Sequence, residues 1–174
     1  MKFRPSLKQL KGLFLNAVLI VAVFAAASAF QTRNMLPTSG VPAPELRGLL
    51  LNGGNFDTEA RGERPLLVYF FAPWCTVCAF SSDNLTRLRR LRDEDALDIV
   101  VVALDWQNVE EVREYVAKHE IELPVVLGNR RTATDWLVYA FPTYYVINSG
   151  GDIHRRDVGY STQFGLWWRS WLVD

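Results

Sequence analysis

The chain holds two cysteines, Cys75 and Cys78, inside the stretch FFAPWCTVCAF at residues 70–80. About one random placement in a hundred would set two cysteines three positions apart in a chain of this length. Such a pair can exchange disulfides, bind a soft metal or close a small structural loop. A loop this short removes little chain entropy and is a poor staple. Dithiol exchange needs one cysteine that ionises and attacks, and a second within reach to resolve the mixed disulfide.

The flanking elements are those that would position such a pair. PLLVYFFA (65–72) is a continuous apolar and aromatic run of strand length, as in a strand covered on both faces. A helical pattern runs from Cys75 to about Arg92, with Leu85, Leu88 and Leu91 repeating every three residues. Cys75 therefore falls at the helix N-terminus, where free backbone N–H groups and the helix dipole favour a thiolate. Cys78 lies one turn further in.

Beyond this unit the chain alternates. ELRGLLLNGGNFD predicts a small hairpin, ALDIVVVALDW a second buried strand near 98–104, and NVEEVREYVAKHE an amphipathic helix capped by Asn108 with Glu111 three residues later. ELPVVLG is a short extended piece and RRTATDWLVYA a short helix. FPTYYVINSGGDIHRRDVGY gives two strands joined at Gly150-Gly151, and STQFGLWWRSWLVD a closing aromatic helix. The pattern predicts an α/β fold with a final antiparallel hairpin.

F-F-A-P-W-C-T-V-C, then F-P-T-Y-Y-V-I, a Gly-Gly turn and V-G-Y resemble the thioredoxin superfamily. More closely, they resemble the membrane-anchored, TlpA/ResA-like thiol–disulfide oxidoreductases of bacterial envelopes. The likeness runs over residues 42–173. It implies a thioredoxin-like fold, a central mixed sheet flanked by helices, with Cys75 and Cys78 as the catalytic pair. Trp74 matches the aromatic before the first cysteine. Phe141-Pro142-Thr143 matches the cis-proline loop, whose backbone can pair with an extended substrate. The resemblance implies that NVEEVREYVAKHEIELPVVLG supplies the helix and short strand inserted in the TlpA-like branch.

Two positions depart from the family pattern. Where thioredoxins carry a buried acid in the strand before the motif, this chain has Tyr69 or Val68, depending on the count. Where the TlpA-like branch often has a Glu after the second cysteine, it has Ser81. Asp105, at the carboxyl end of the second strand, is the candidate proton acceptor, and Asp83 a weaker one; a loop-starting or capping role for Asp105 is the competing reading.

The N-terminus places the domain. Four bases (Lys2, Arg4, Lys8, Lys11) precede Leu13–Phe30, eighteen residues without a charge. This reads as a signal-anchor helix over 1–30 with its basic flank in the cytoplasm. The alternative is a signal peptide cleaved after Ala27-Ser28-Ala29. Residues 31–44, with three prolines, read as a linker, and 45–174 as the thioredoxin-like domain. Both readings put the domain in the periplasm.

Lys plus Arg and Asp plus Glu number 19 each, and 49% of residues are hydrophobic, which argues against a nucleic-acid partner and against disorder. Arg87, Arg89, Arg90 and Arg92 read as the wet face of the motif helix, paired with Asp93 to Asp95. The spacing of Cys75, Cys78, His119 and His154 matches no compact zinc site. Ala79 stands where covalent haem attachment needs His. Trp167, Trp168 and Trp171 read as core packing, with a membrane-interface role as the alternative.

The expectation is a periplasmic oxidoreductase that reduces protein disulfides. It needs no bound cofactor, since its electrons sit in cysteine sulfur, and the resemblance implies re-reduction by a transmembrane electron carrier. Thiol oxidation or isomerisation is the alternative direction. A copper(I)-binding envelope module is the non-enzymatic alternative.

Overall fold

The computed structural model describes residues 7–38, 40–93, 95–171 and 173, in two compact units, Met1–Asn34 and Met35–Asp174. Lys2 and Arg4 of the basic flank, Glu94 between Asp93 and Asp95, and Leu172 of the closing segment lie outside the described residues.

The first unit is one helix, α1 (Leu7–Thr32). Its stretch Lys11–Thr32 is long and apolar enough to cross a membrane. Near its end Thr32 donates its hydroxyl to the Ser28 carbonyl at 3.0 Å.

In the second unit five strands form a sheet in the order β5 (Val125–Leu127), β4 (Asp98–Ala103), β3 (Leu66–Phe71), β6 (Thr143–Ile147) and β7 (Ile153–Val158). The first three run parallel, and β6 and β7 run antiparallel to their neighbours. Central β3 is buried at all six positions, which is why its sequence is apolar without alternation. Its alternate side chains feed two cores. Leu67, Tyr69 and Phe71 face α2 (Thr76–Leu91), α3 (Val109–Lys118) and α5 (Gln163–Trp171). Leu66, Val68 and Phe70 pack with Trp136, beside α4 (Arg130–Asp135). A small hairpin, β1 (Arg47–Leu49) with β2 (Asn55–Asp57), precedes the sheet.

Asn108 caps α3 by accepting the Glu111 N–H at 3.1 Å, while the Glu111 carboxylate accepts from the Gln107 N–H at 3.1 Å. The reciprocal bond of the expected capping box has moved one residue upstream.

Two expectations differ from the structure. The linker reading of 31–44 held that its prolines prevent a regular element and suit an extended tether. Helix α1 covers 31–32, and from Met35 onward the segment packs on the domain. Met35 is buried, and the Arg156 guanidinium on β7 donates to the carbonyls of Met35 at 2.8 Å and Leu36 at 2.6 Å. Val41 and Ala43 then bond the β6–β7 turn through Ile153 and Gly151. Proline and glycine exclude a regular element, but an irregular segment can still bond a sheet edge.

The second difference concerns α5. Leu166 and Ser170 turn inward and Trp167 is partly buried, while Phe164, Trp168 and Trp171 are more than half exposed. Helical spacing marks a stripe of large side chains; it does not say which stripe faces the sheet.

Candidate active site

The dithiol lies where β3 ends and α2 begins. A tight turn, closed by the Cys75 N–H to the Ala72 carbonyl at 3.0 Å, lifts Cys75 to the N-cap of α2. There its backbone is extended and its Sγ accepts the Cys78 N–H at 3.1 Å. The two cysteines form a disulfide, with Cα atoms 5.2 Å apart. Cys75 is 6% exposed and Cys78 fully buried, so one sulfur meets solvent at an edge and the other is shielded.

Trp74, next to Cys75 in the chain and lining the same groove, is 64% exposed. Its ring meets Phe141 edge-on, centroids 5.7 Å apart, and the Phe141–Pro142 peptide is cis. Its indole Nε1 donates to the Asp105 carboxylate at 3.0 Å and to the Asp105 carbonyl at 3.3 Å. The turn after β4 delivers Asp105 in the left-handed region, φ 51°, a conformation that Asp tolerates better than most side chains. Sequence reasoning thus brings Cys75, Cys78, Trp74, Asp105, Phe141 and Pro142 to one edge of the sheet. Asp105 is engaged with Trp74, and Asp83 is exposed on α2.

Tyr69, one of the two positions at which the resemblance would place a buried acid, sits beneath the motif. Its hydroxyl donates to the Cys78 carbonyl at 3.2 Å inside the core. Burial, reinforced by the neighbouring Tyr144 and Tyr115, holds its pKa well above the usual 10, so it serves as a neutral donor. The signal available in the sequence was a hydroxyl in an otherwise apolar strand. Ser81 spends its hydroxyl on the Val77 carbonyl at 3.0 Å.

Two open grooves lie near the motif, one lined by Trp74 and one by its partners Asp105 and Phe141. One, of about 540 Å³, runs along Cys75, Thr76, Glu111, Glu114, Tyr115 and His119. The other, of about 490 Å³, lies on the far side of the Trp74–Asp105 bond, between Trp106, Arg130, Tyr139 and Phe141. The sequence marks His119 as solvated at a helix end. In the fold its ring packs on Tyr115 at 4.5 Å, and burial, with Lys118 beside it, lowers its pKa.

The family model described as Redoxin matches residues 38–164, which include both cysteines and the cis-proline loop. The chain belongs to the Redoxin family. Among relatives of this Redoxin is the thiol-disulfide oxidoreductase YkuV of Bacillus subtilis, 28% identical over 69% of this chain and 85% of the relative. The thiol:disulfide interchange protein HelX of Rhodobacter capsulatus is 27% identical, covering 88% and 90%. A thioredoxin-family thiol:disulfide interchange protein of Chlorobium tepidum superposes with a TM-score of 0.71 at 19% identity, covering 79% of this chain and 99% of that one. The fold is thioredoxin-like; by name, YkuV is a thiol-disulfide oxidoreductase and HelX a thiol:disulfide interchange protein.

Proposed function

We propose that this Redoxin reduces protein disulfides on the periplasmic side of the inner membrane, anchored by α1, with Cys75 attacking and Cys78 resolving. The observation that carries the roles is the asymmetry of the pair: Cys75 caps α2 at the solvent edge with a backbone N–H on its sulfur, and Cys78 is sealed behind it.

In the reduced enzyme the Cys75 thiolate attacks one sulfur of a substrate disulfide. The substrate S–S bond breaks, a Cys75–substrate bond forms, and the departing sulfur takes a proton. Cys78 then loses its proton and attacks Cys75 Sγ, releasing the second substrate sulfur as thiol. The substrate gains two electrons and two protons, and the enzyme is left with the Cys75–Cys78 disulfide. Trp74, Phe141 and Pro142 frame the approach, and the Phe141 backbone offers an extended substrate segment a strand to pair with.

One feature supports the reducing direction. Thr76 and Val77 supply no charge between the cysteines to stabilise the thiolate strongly. A transmembrane electron carrier would re-reduce the pair in an oxidising compartment.

The test is the reduction potential of the full chain, with substrate turnover of Cys75→Ser and Cys78→Ser alongside. A potential at or below about −230 mV supports the donor role, and one above about −180 mV makes the protein an oxidant or isomerase. Cys75→Ser should abolish turnover, whereas Cys78→Ser should accumulate mixed disulfides. Turnover surviving in Cys75→Ser would overturn the assigned roles.

A further inference from the structure

We propose that Tyr145 is a positioning residue for client binding, its hydroxyl tying the cis-proline loop to residues 35–36. The inference rests on the proposed pairing of the Phe141 backbone with an extended client. Tyr145 is fully buried on β6, beside Trp136 with ring centroids 5.5 Å apart. Its hydroxyl donates to the Trp136 carbonyl at 2.8 Å and accepts the Leu36 N–H at 3.3 Å. Arg156 stands directly opposite it on β7, so both side chains share one face of the sheet. Arg156 takes the carbonyls of Met35 and Leu36, and Tyr145 takes the Leu36 N–H, so the two grip one stretch of backbone.

Trp136 stands where α4 ends and the loop begins. The last carbonyls of a helix lack partners inside it, and Tyr145 supplies one here. Leu137 follows in the left-handed region, φ 47°, a conformation that costs a leucine and persists only where its surroundings fix it. Near the other end of the loop the Thr143 hydroxyl donates to the Ala140 carbonyl at 2.8 Å. Between Trp136 and Thr143 lie Val138, Tyr139 and Phe141, which line the groove of about 490 Å³, and the cis Phe141–Pro142 peptide. Phe141 in turn meets Trp74 edge-on. Without the Tyr145 hydroxyl, the Trp136 carbonyl and the Leu36 N–H lose a partner inside the protein, and the loop loses its fixed start. A client that docks along Phe141 binds more weakly to a loop that must first be ordered. The sulfur chemistry stays as it was, because Tyr145 and the two cysteines belong to separate cores on opposite faces of the sheet.

The experiment compares the full chain with Tyr145→Phe and Arg156→Gln in exchange with two substrates, a disulfide-linked extended peptide and a small aromatic disulfide. In Tyr145→Phe the KM for the peptide should rise about fivefold with kcat held, while both constants for the small disulfide stay at wild type. Arg156→Gln frees residues 35–36 and keeps the Tyr145–Trp136 bond, and should raise the peptide KM about twofold. An unchanged peptide KM in Tyr145→Phe overturns the proposal, and so does an equal loss on both substrates, which a merely loosened fold would give. An unchanged KM in Arg156→Gln overturns the part given to residues 35–36. Where Tyr145→Phe does not fold, the whole comparison rests on Arg156→Gln. Hydrogen exchange in the oxidised chains reads the tie without turnover. Val138 to Phe141 should exchange faster in Tyr145→Phe while β3 stays protected, and equal exchange overturns the tie. A wild type inert toward the peptide overturns the proposed function alone, since the amides still judge the loop.

Discussion

Asp105 separates two accounts of the site, because its carboxylate could accept the Cys78 proton or hold Trp74 in place. The structure commits it to Trp74, through the 3.0 Å bond from Nε1. Asp105→Asn keeps an oxygen for the indole and a side chain that tolerates φ 51°, while Asp105→Ala loses both. At an exposed bond to a carboxylate, losing the charge costs a few tenths to about 1 kcal/mol. Ala adds the left-handed backbone, a further ~1 kcal/mol or more. Asn should therefore destabilise the oxidised protein by less than about 1 kcal/mol and Ala by about 2 kcal/mol, read from urea unfolding. Single-turnover resolution of a Cys75 mixed disulfide, followed across pH, supplies the kinetic half. If Asp105 holds the indole, Asn retains the wild-type rate and pH profile, and Ala loses rate together with a change in Trp74 emission. An Asn variant slowed at neutral pH with its tryptophan emission intact would refute this assignment and restore Asp105 as the proton acceptor.

Gly128→Ala should be strongly destabilising, by about 2 kcal/mol or more: a Cβ there would sit 2.7 Å from Leu104, 2.9 Å from Val102 and 3.0 Å from the Ala103 carbonyl. Unfolding in urea checks it, and a wild-type midpoint would refute the crowding. Alkaline pH should weaken the fold. Burial raises Tyr69 well above 10, and it raises Tyr115 and Tyr145 to about 12. Above pH 10 the unfolded chain ionises these tyrosines while the folded chain keeps them protonated, so stability present below pH 10 is lost as pH rises toward 12. For Tyr115 and Tyr145 the gap corresponds to roughly 2–3 kcal/mol each. Tyr69→Phe should shallow the slope above pH 10, at the neutral-pH expense of about 1 kcal/mol for the bond to the Cys78 carbonyl. A stability flat to pH 11.5 would contradict the burial of these hydroxyls.

The fold was legible where one signal had one meaning. An apolar run of strand length followed by a three-residue leucine repeat gives β3 and α2 with little ambiguity, and the dithiol's place between them follows. Pro142 could be tied to the cysteines through the family pattern, because a motif carries distance information that periodicity lacks. What stayed hidden depended on packing across the sheet. Tyr69 differs from an acid by one reading of the same position, yet its role as a donor under Cys78 exists only once α2 lies on β3. His119 reads as a wet helix end until α3 packs beside α2 and turns it into a groove wall. Met35 follows α1 and precedes three prolines, and nothing local says that Arg156, far along the chain, will claim its carbonyl.

The paired grooves bear on when a substrate can be served. A disulfide joins two stretches of backbone, and both must clear Trp74 for a sulfur to come into line with Cys75. With one groove beside Trp74 along Glu114 and another beyond Asp105 along Tyr139, there is open space for one stretch past each. A disulfide pressed flat into a finished globular surface cannot part its backbones in that way. Under the proposed function, two grooves of this kind predict faster exchange with disulfides in slack, unfolded chains than with disulfides set flat in a folded surface, which paired assays on one client before and after folding would read.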